Sequence, residues 1–283
     1  MVSLLLALTL ACVPVPTLGD SGAATDSATT DTRDGTDTGT SWTDTDSADT
    51  GDTSPPIDSA LFGIDTDGDG LSDGQELQLG WDPESADTDG DGFGDAEEHA
   101  AGTDGALPWS WPLDGCRWPD LRDAGVELVG DATVGWGDRE AVPELTFLDQ
   151  CGGEVSLWQF PGHVIVLDMA ATWCGPCQEA APMLQSRFEA FRERGFLLLT
   201  ALQGATLEET QEWVATFGST HPVAADQDKV LFGQLESRTT TYPSYVLIDT
   251  DLVVRNLKVG EAEQSWFDLY VPGLQDERDA AAR

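Results

Sequence analysis

Basic residues are scarce in this chain, in which 13 Lys and Arg stand against 52 Asp and Glu. The resulting net charge of −39 repels phosphate groups and argues against nucleic acid as a partner. The acid is unevenly placed, because 24 acidic residues and a single base, Arg33, lie between residues 20 and 105. A length of 283 residues leaves room for more than one domain.

A long apolar segment is missing from the N-terminus. The apolar run from Met1 to Ala11 is too short to cross a bilayer and indicates a secretion signal over residues 1–19. Leu10-Ala11-Cys12 resembles the end of a lipobox, in which the cysteine is lipidated and becomes the mature N-terminus. We therefore predict cleavage before Cys12 and a membrane-anchored lipoprotein in the periplasm or at the cell surface. An ordinary signal peptide with an incidental cysteine is the alternative.

Cysteine is also sparse, with five residues in the chain. Apart from Cys12, they are Cys116, Cys151 and the closely spaced pair Cys174 and Cys177. In an oxidising compartment, Cys116 and Cys151 are expected to form a structural disulfide. Two separate buried thiols are the alternative, since a sequence does not reveal the distance between two cysteines.

Apolar side chains are almost absent from residues 20–60, which consist mainly of Asp, Thr, Ser, Gly and Ala. Such a segment buries too little surface to offset the entropy of ordering it, so we predict disorder. Its like charges repel one another and extend it, which is typical of a tether.

An acidic motif occurs twice within residues 61–105, at an offset of 22 residues. Each copy reads D-x-D-x-D-G-x5-E, the pattern of a calcium loop in which the final glutamate binds through both oxygens. The candidate ligands are Asp65, Asp67, Asp69, Asp73 and Glu76 in the first copy and Asp87, Asp89, Asp91, Asp95 and Glu98 in the second. The repeats resemble the short thrombospondin type 3-like or dockerin-like calcium modules of exported bacterial proteins, which implies Ca²⁺ as a cofactor. An acidic linker without a bound ion is the alternative.

Residues 106–140 are rich in Trp, Pro and Gly and are predicted to be an ordered connector whose tryptophans pack against a core. Residues 141–275 alternate strand-like and helix-like patterns, which predicts an α/β fold with a mixed central sheet flanked by helices. The last predicted helix covers Gln264–Tyr270, and residues 276–283 are expected to be a tail.

The sequence Trp173-Cys174-Gly175-Pro176-Cys177 follows a buried strand pattern and precedes a helical one. Two cysteines at this spacing close a small, reversible disulfide. The positive end of the helix dipole favours the thiolate of Cys174, which is the nucleophile in disulfide exchange. Half of a zinc site is the alternative, but no second C-x-x-C or H-x-x-x-H is present to complete it.

W-C-G-P-C is the active-site motif of thioredoxins, and the surrounding segments resemble the exported TlpA/ResA-like branch of that family. Matching segments include Val142-Pro143-Glu144-Leu145, Phe160-Pro161-Gly162 and Thr241-Tyr242-Pro243. The resemblance covers roughly residues 126–275 and implies a thioredoxin-like fold.

The resemblance also implies roles for individual residues. Cys174 would be the exposed attacking thiolate and Cys177 the resolving thiol. Asp168 matches the buried acid that assists deprotonation of the resolving cysteine, although a structural aspartate at a strand end is the alternative. Pro243 matches a cis-proline facing the disulfide, and Trp173 is expected to cover the site as an apolar contact surface.

We therefore predict an exported thiol–disulfide oxidoreductase that acts on protein thiols and disulfides without a cofactor for the redox step. A protein electron donor or acceptor, not identified by the sequence, would reset the pair. One alternative is a calcium-binding surface protein that uses the fold as a binding module. Another is a peroxiredoxin-like peroxidase, which resembles this class but needs a threonine where Ala171 stands.

Overall fold

The computed structural model of the chain describes residues 57–113 and 115–281. The predicted signal, Cys12 and the tether up to residue 56 lie outside the described residues. Within the described part of the chain, no helix combines the length and the apolar character that crossing a bilayer requires.

Seven strands of the described residues form one mixed sheet, in the order β2-β1-β5-β4-β3-β6-β7. Strands β3, β4 and β5 are parallel, whereas β1, β6 and β7 run antiparallel to their inner neighbours. The strands are β1 Thr146–Asp149, β2 Glu154–Ser156, β3 Val164–Ala170, β4 Phe196–Gln203, β5 Val223–Asp226, β6 Ser244–Ile248 and β7 Val254–Val259. The predicted mixed sheet flanked by helices is confirmed.

Successive side chains of β3 point to opposite faces of the sheet and therefore pack into two separate core clusters. Val164 and Val166 pack with residues of the fourth and seventh helices, whereas Ile165 and Leu167 join the larger cluster on the other face. Every residue of β3 is buried, as expected for a central strand covered on both faces. The carboxyl end of this strand leads directly to the C-x-x-C sequence.

Seven α-helices are found in residues 57–113 and 115–281. They are α1 Asp73–Leu79, α2 Asp95–Ala101, α3 Arg122–Val129, α4 Gly175–Phe191, α5 Leu207–Phe217, α6 Val230–Leu235 and α7 Gln264–Ala281. The final helix is longer than predicted and includes most of the expected tail. Val271 and Leu274 are buried against α4 and the sheet, so packing favours helix beyond Pro272.

The connector is part of the core, as expected. Trp111, Trp118 and Trp136 are buried in the larger cluster, and the indole nitrogen of Trp118 donates to Asp149 at 2.8 Å. The connector also contains α3, which the sequence analysis did not predict. Gly125 of this helix lies so close to the carbonyl of Trp158 that a Cβ atom there would clash.

The second acidic repeat also packs against the core. Phe93 is buried in the same cluster as the connector tryptophans, and the Arg117 guanidinium lies 3.9 Å from the centre of its ring. Arg117 also pairs with Glu97, with an N–O distance of 2.6 Å. The repeats are therefore attached to the α/β domain through side-chain contacts as well as through the chain.

Candidate functional site: a redox disulfide and two acidic loops

Cys174 and Cys177 form a disulfide at the start of α4. Cys174 is the residue before the first turn, and its sulfur accepts a hydrogen bond from the backbone N–H of Cys177 at 3.2 Å. An N–H group aimed at this sulfur, together with the helix dipole, favours negative charge on Cys174 when the pair is reduced. The asymmetry supports the predicted order of attacking and resolving cysteine.

Cys174 is less exposed than the sequence analysis predicted. In the disulfide form it is only 4 % exposed and Cys177 is 2 % exposed. Both belong to an apolar cluster with Ala171 and Trp213. The exposed group is instead Trp173, at 68 %. An apolar surface of this size beside the disulfide suits contact with a protein.

The peptide bond between Tyr242 and Pro243 is cis, as predicted. The Tyr242 ring makes an edge contact with Trp173, with ring centres 5.4 Å apart, and packs against Phe232 at 4.9 Å. Tyr242 also packs against the cluster that contains the two cysteines. The structure thus brings Trp173, the disulfide and the Tyr242–Pro243 segment together.

Asp168 lies on β3, six residues before Cys174, and is 1 % exposed. Its Oδ2 accepts a hydrogen bond from the Thr200 hydroxyl at 3.0 Å, while Oδ1 has no hydrogen-bond partner among the described residues. Burial raises the pKa of Asp168 to about 7, and the hydrogen bond from Thr200 lowers it. A carboxyl group in this state can take up or release a proton near neutral pH.

Sequence reasoning missed His221, which is buried next to Thr200 and whose Nε2 lies 3.2 Å from the Thr200 hydroxyl oxygen. Burial lowers the pKa of His221 to about 3. The sequence H-P-V gives no indication of this contact, because the two residues are 21 positions apart and meet only through the pairing of β4 and β5.

In each acidic loop, three aspartates converge. Single oxygens of Asp65, Asp67 and Asp69 lie within 4.8 Å of one another, and so do those of Asp87, Asp89 and Asp91. Gly68, Gly70, Gly90 and Gly92 have positive φ angles, which lets each loop turn sharply around this point. This is the arrangement that the repeated motif predicted.

Asp73 and Asp95, which are also predicted ligands, make hydrogen bonds to the start of their loops. Both carboxylate oxygens of Asp73 accept hydrogen bonds from Thr66, one from its backbone N–H and one from its hydroxyl. Asp95 holds Thr88 in the same way. These two aspartates therefore tie the start of each loop to the following helix. They stay predicted ligands, because Asp69 and Asp87 also accept hydrogen bonds at both oxygens.

The carboxylate oxygens that lack hydrogen-bond partners fit a calcium ion. Both carboxylate oxygens of Glu76 and of Glu98 are buried and have no hydrogen-bond partner among the described residues, as have single oxygens of Asp67, Asp89 and Asp91. Burial, together with the charges of Asp91 and Asp89, raises the pKa of Glu98 to about 8. Such a set of hard oxygen donors is the coordination that Ca²⁺ requires.

The second cysteine pair is also formed, because Cys116 and Cys151 are joined by a disulfide. It links the connector to the turn between β1 and β2. The adjacent Arg117 contacts the second acidic loop. The predicted structural disulfide therefore fastens the segment that carries the repeats.

The mixed sheet, the C-x-x-C disulfide at the start of α4 and the cis peptide bond before Pro243 are features of a thioredoxin-like fold. Residues 139–257 match the model of the AhpC/TSA family, which confirms the predicted resemblance. Residues 65–84 and 87–104 match the bacterial TSP3 repeat.

Similar curated proteins include the thioredoxin-like protein YneN of Bacillus subtilis (strain 168), at 22 % identity over 45 % of this chain and 74 % of YneN. The thiol-disulfide oxidoreductase ResA of Bacillus thuringiensis (strain Al Hakam) is 24 % identical over 46 % of this chain and 73 % of ResA. The name of ResA agrees with the predicted enzyme class.

Among solved structures, the chain is similar to a thiol:disulfide interchange protein of the thioredoxin family from Chlorobium tepidum TLS. The identity is 21 %, the match covers 49 % of this chain and 98 % of that protein, and the TM-score is 0.45.

Proposed function

We propose that this protein is an exported thiol–disulfide oxidoreductase that exchanges disulfides with extracytoplasmic proteins through Cys174 and Cys177. The observation that carries the proposal is the Cys174–Cys177 disulfide at the start of α4, with a backbone N–H directed at the Cys174 sulfur. Among the described residues, only the Cys174 sulfur receives such an N–H contact, so the reduced pair has one preferred nucleophile.

In the reducing direction, the Cys174 thiolate attacks one sulfur of a client disulfide. The client S–S bond breaks, one client thiolate leaves, and a mixed disulfide joins Cys174 to the client. Cys177 then loses its proton and attacks the Cys174 sulfur. The Cys174–client bond breaks, the second client thiolate leaves, and the protein disulfide forms. Two electrons have moved from the cysteine pair to the client.

Asp168 is the proposed proton acceptor for the Cys177 thiol. It is the buried carboxylate on the strand that leads to the site, and its pKa of about 7 suits proton uptake near neutral pH. The leaving client thiolate, or water, later takes the proton back. Asp168 ends the cycle in the state in which it began.

Trp173 and the Tyr242–Pro243 segment form the proposed client surface. The exposed Trp173 ring offers apolar area, and the edge contact with Tyr242 holds it beside the disulfide. Because an extended client segment would pass over this pair, we expect recognition through backbone and apolar contacts. Such contacts allow several client proteins.

Export is the proposed setting. A structural disulfide such as Cys116–Cys151 persists in an oxidising compartment. Lipidation of Cys12 would anchor the chain to a membrane through the acidic segment. Palmitate labelling of the full chain tests this: we expect label in the parent and none in Cys12→Ala, and label retained in Cys12→Ala would contradict it.

Ca²⁺ is the proposed ion of the acidic loops. The residues that would hold it are Asp65, Asp67, Asp69, Asp73 and Glu76 in one loop and Asp87, Asp89, Asp91, Asp95 and Glu98 in the other. Bound calcium would neutralise crowded carboxylates and give oxygens without hydrogen-bond partners a ligand role. Calorimetry of chelator-treated protein should show heat of binding below millimolar calcium, and its absence would contradict the proposal.

Trapping tests the redox function directly. With Cys177→Ala, the attack by Cys174 on a client-like disulfide is expected to stop at a mixed disulfide that is visible by mass. With Cys174→Ala, no such adduct is expected, because the N–H contact that favours a thiolate is made to the Cys174 sulfur. Equal trapping by both variants would contradict the assigned order, and no trapping by either would contradict the function.

A further inference from the structure

Four buried polar side chains form a continuous line from the strand that carries Asp168 to helix α4. The Thr200 hydroxyl oxygen lies 3.0 Å from Asp168 Oδ2 and 3.2 Å from His221 Nε2. On the other side of the imidazole, His221 Nδ1 lies 3.0 Å from Gln185 Oε1. All four side chains are buried, so each hydrogen bond in the line matters for stability.

The direction of the hydrogen bonds follows from Gln185. The backbone N–H of Thr220 can only donate, and it donates to Gln185 at 3.0 Å, so the atom that it faces is the amide oxygen. The same oxygen faces His221 Nδ1 and can only accept from it. Nδ1 therefore carries a hydrogen. Because burial keeps the imidazole neutral, Nε2 is left as an acceptor.

The Thr200 hydroxyl has one hydrogen and two acceptors beside it. When Asp168 is protonated, its hydroxyl donates to the Thr200 oxygen, and Thr200 donates to His221 Nε2, so the hydroxyl and Nε2 are both paired. When Asp168 is ionised, Thr200 turns its hydrogen to the carboxylate, and the buried Nε2 has no donor. The two protonation states of Asp168 thus differ by one hydrogen bond at His221.

We propose that His221, acting through the Thr200 hydroxyl, is a positioning residue that favours the protonated form of Asp168. The inference rests on the proposed redox function. In that function, His221 would set the pH range over which Asp168 takes the proton of Cys177. In that step the Cys177 S–H bond breaks and the proton goes to Asp168 Oδ2. The Thr200 hydroxyl rotates, so that its hydrogen points to His221 Nε2 instead of the carboxylate. No oxidant or reductant is needed.

Other titratable groups surround Asp168. Tyr245 of β6 is its cross-strand neighbour, and Glu261 before α7 acts on the same tyrosine. Helix α4 contributes the Cys174–Cys177 pair and, beyond Gln185, Glu189, which accepts from the Gln185 amide at 2.8 Å. None of these groups contacts the Thr200 hydroxyl, whose two partners are Asp168 and His221.

The experiment is a titration of Asp168 in the oxidised full chain by carbon NMR with aspartate labelled at the side-chain carboxyl. The Asp168 resonance is the one missing from Asp168→Asn. Asparagine at position 221 retains a donor near Nδ1 but has no group near Nε2. We therefore expect His221→Asn to lower the titration midpoint of Asp168 by roughly one pH unit, the value of one hydrogen bond.

Three further variants keep the proposal falsifiable. His221→Gln places an amide oxygen near Nε2 and should leave the midpoint close to that of the parent. Thr200→Val removes the donor to the carboxylate and should raise the midpoint. In the Thr200→Val background, His221→Asn should have no further effect, because the hydroxyl that transmits it is gone.

An unchanged or raised midpoint in His221→Asn would overturn the proposal, and so would an undiminished effect of residue 221 in the Thr200→Val background. The readout uses the disulfide form and requires no turnover. A shifted midpoint in a chain that traps no client would therefore refute the redox function alone. If both hold, the pH profile of mixed-disulfide resolution should shift with the NMR midpoint.

Discussion

Replacing Asp168 by Asn should make the protein more stable at neutral pH than at acid pH, relative to the parent. In the folded chain, burial raises the pKa of Asp168 from 3.8 to about 7. A raised pKa means that the neutral form is favoured by the fold. The parent therefore loses stability as the pH rises from about 4 to about 7 and remains constant above that. Asparagine does not ionise and escapes this loss.

The magnitude follows from the pKa difference. A shift of about three units corresponds to roughly 4 kcal/mol between acid and neutral pH, as an upper limit. Urea unfolding of both oxidised proteins from pH 4 to pH 8, with calcium chelated, gives the difference at each pH. Other titrating carboxylates are common to both proteins and cancel. A difference that stays flat from pH 4 to pH 8 would refute the assignment of a buried, protonatable Asp168.

Three further changes test other parts of the structure. Glu98→Gln should weaken calcium binding by roughly tenfold or more in calorimetry, whereas the exposed Glu84→Gln should not, and equal affinities would contradict the proposed site. Gly125→Ala should lower the free energy of unfolding by roughly 2 kcal/mol, because the added Cβ would clash with the Trp158 carbonyl. Gly233→Ala, whose Cβ would have no neighbour within 4 Å, is the control. Equal effects of the two substitutions would contradict the described packing. Replacing both Cys116 and Cys151 by Ala removes a disulfide that spans 35 residues and should lower the free energy of unfolding by about 3 to 4 kcal/mol. An unchanged urea midpoint would refute a structural role for this disulfide.

Much of the α/β domain is predictable because its signals are local. The sequence predicts a strand over Val164–Met169 and a helix over Pro176–Phe191, and β3 and α4 lie within one residue of these bounds. Strand β5, Val223–Asp226, was missed because four residues carry too little periodicity. Helix α7 was expected to end before Pro272, but the burial of Val271 and Leu274 outweighs the missing N–H.

The residues of the site likewise fall into those with a local sequence signal and those without one. Cys174, Cys177 and Pro243 stand in motifs whose spacing is their signal. Asp73 and Asp95 occupy positions that the loop motif assigns to ligands, and each also accepts two hydrogen bonds from a threonine near the start of its loop. That contact depends on the path of the folded loop and not on spacing. His221 is a lone histidine whose partners are 21 and 36 positions away.

The most direct test of the account is the reduction potential of the Cys174–Cys177 pair, measured in the full chain by equilibration with glutathione or dithiothreitol buffers. We expect reversible two-electron behaviour with a potential between about −270 and −120 mV, the range of thioredoxin-like reductants and oxidants. A pair that remains oxidised until below about −300 mV would be a structural disulfide, and the proposed redox function would be wrong.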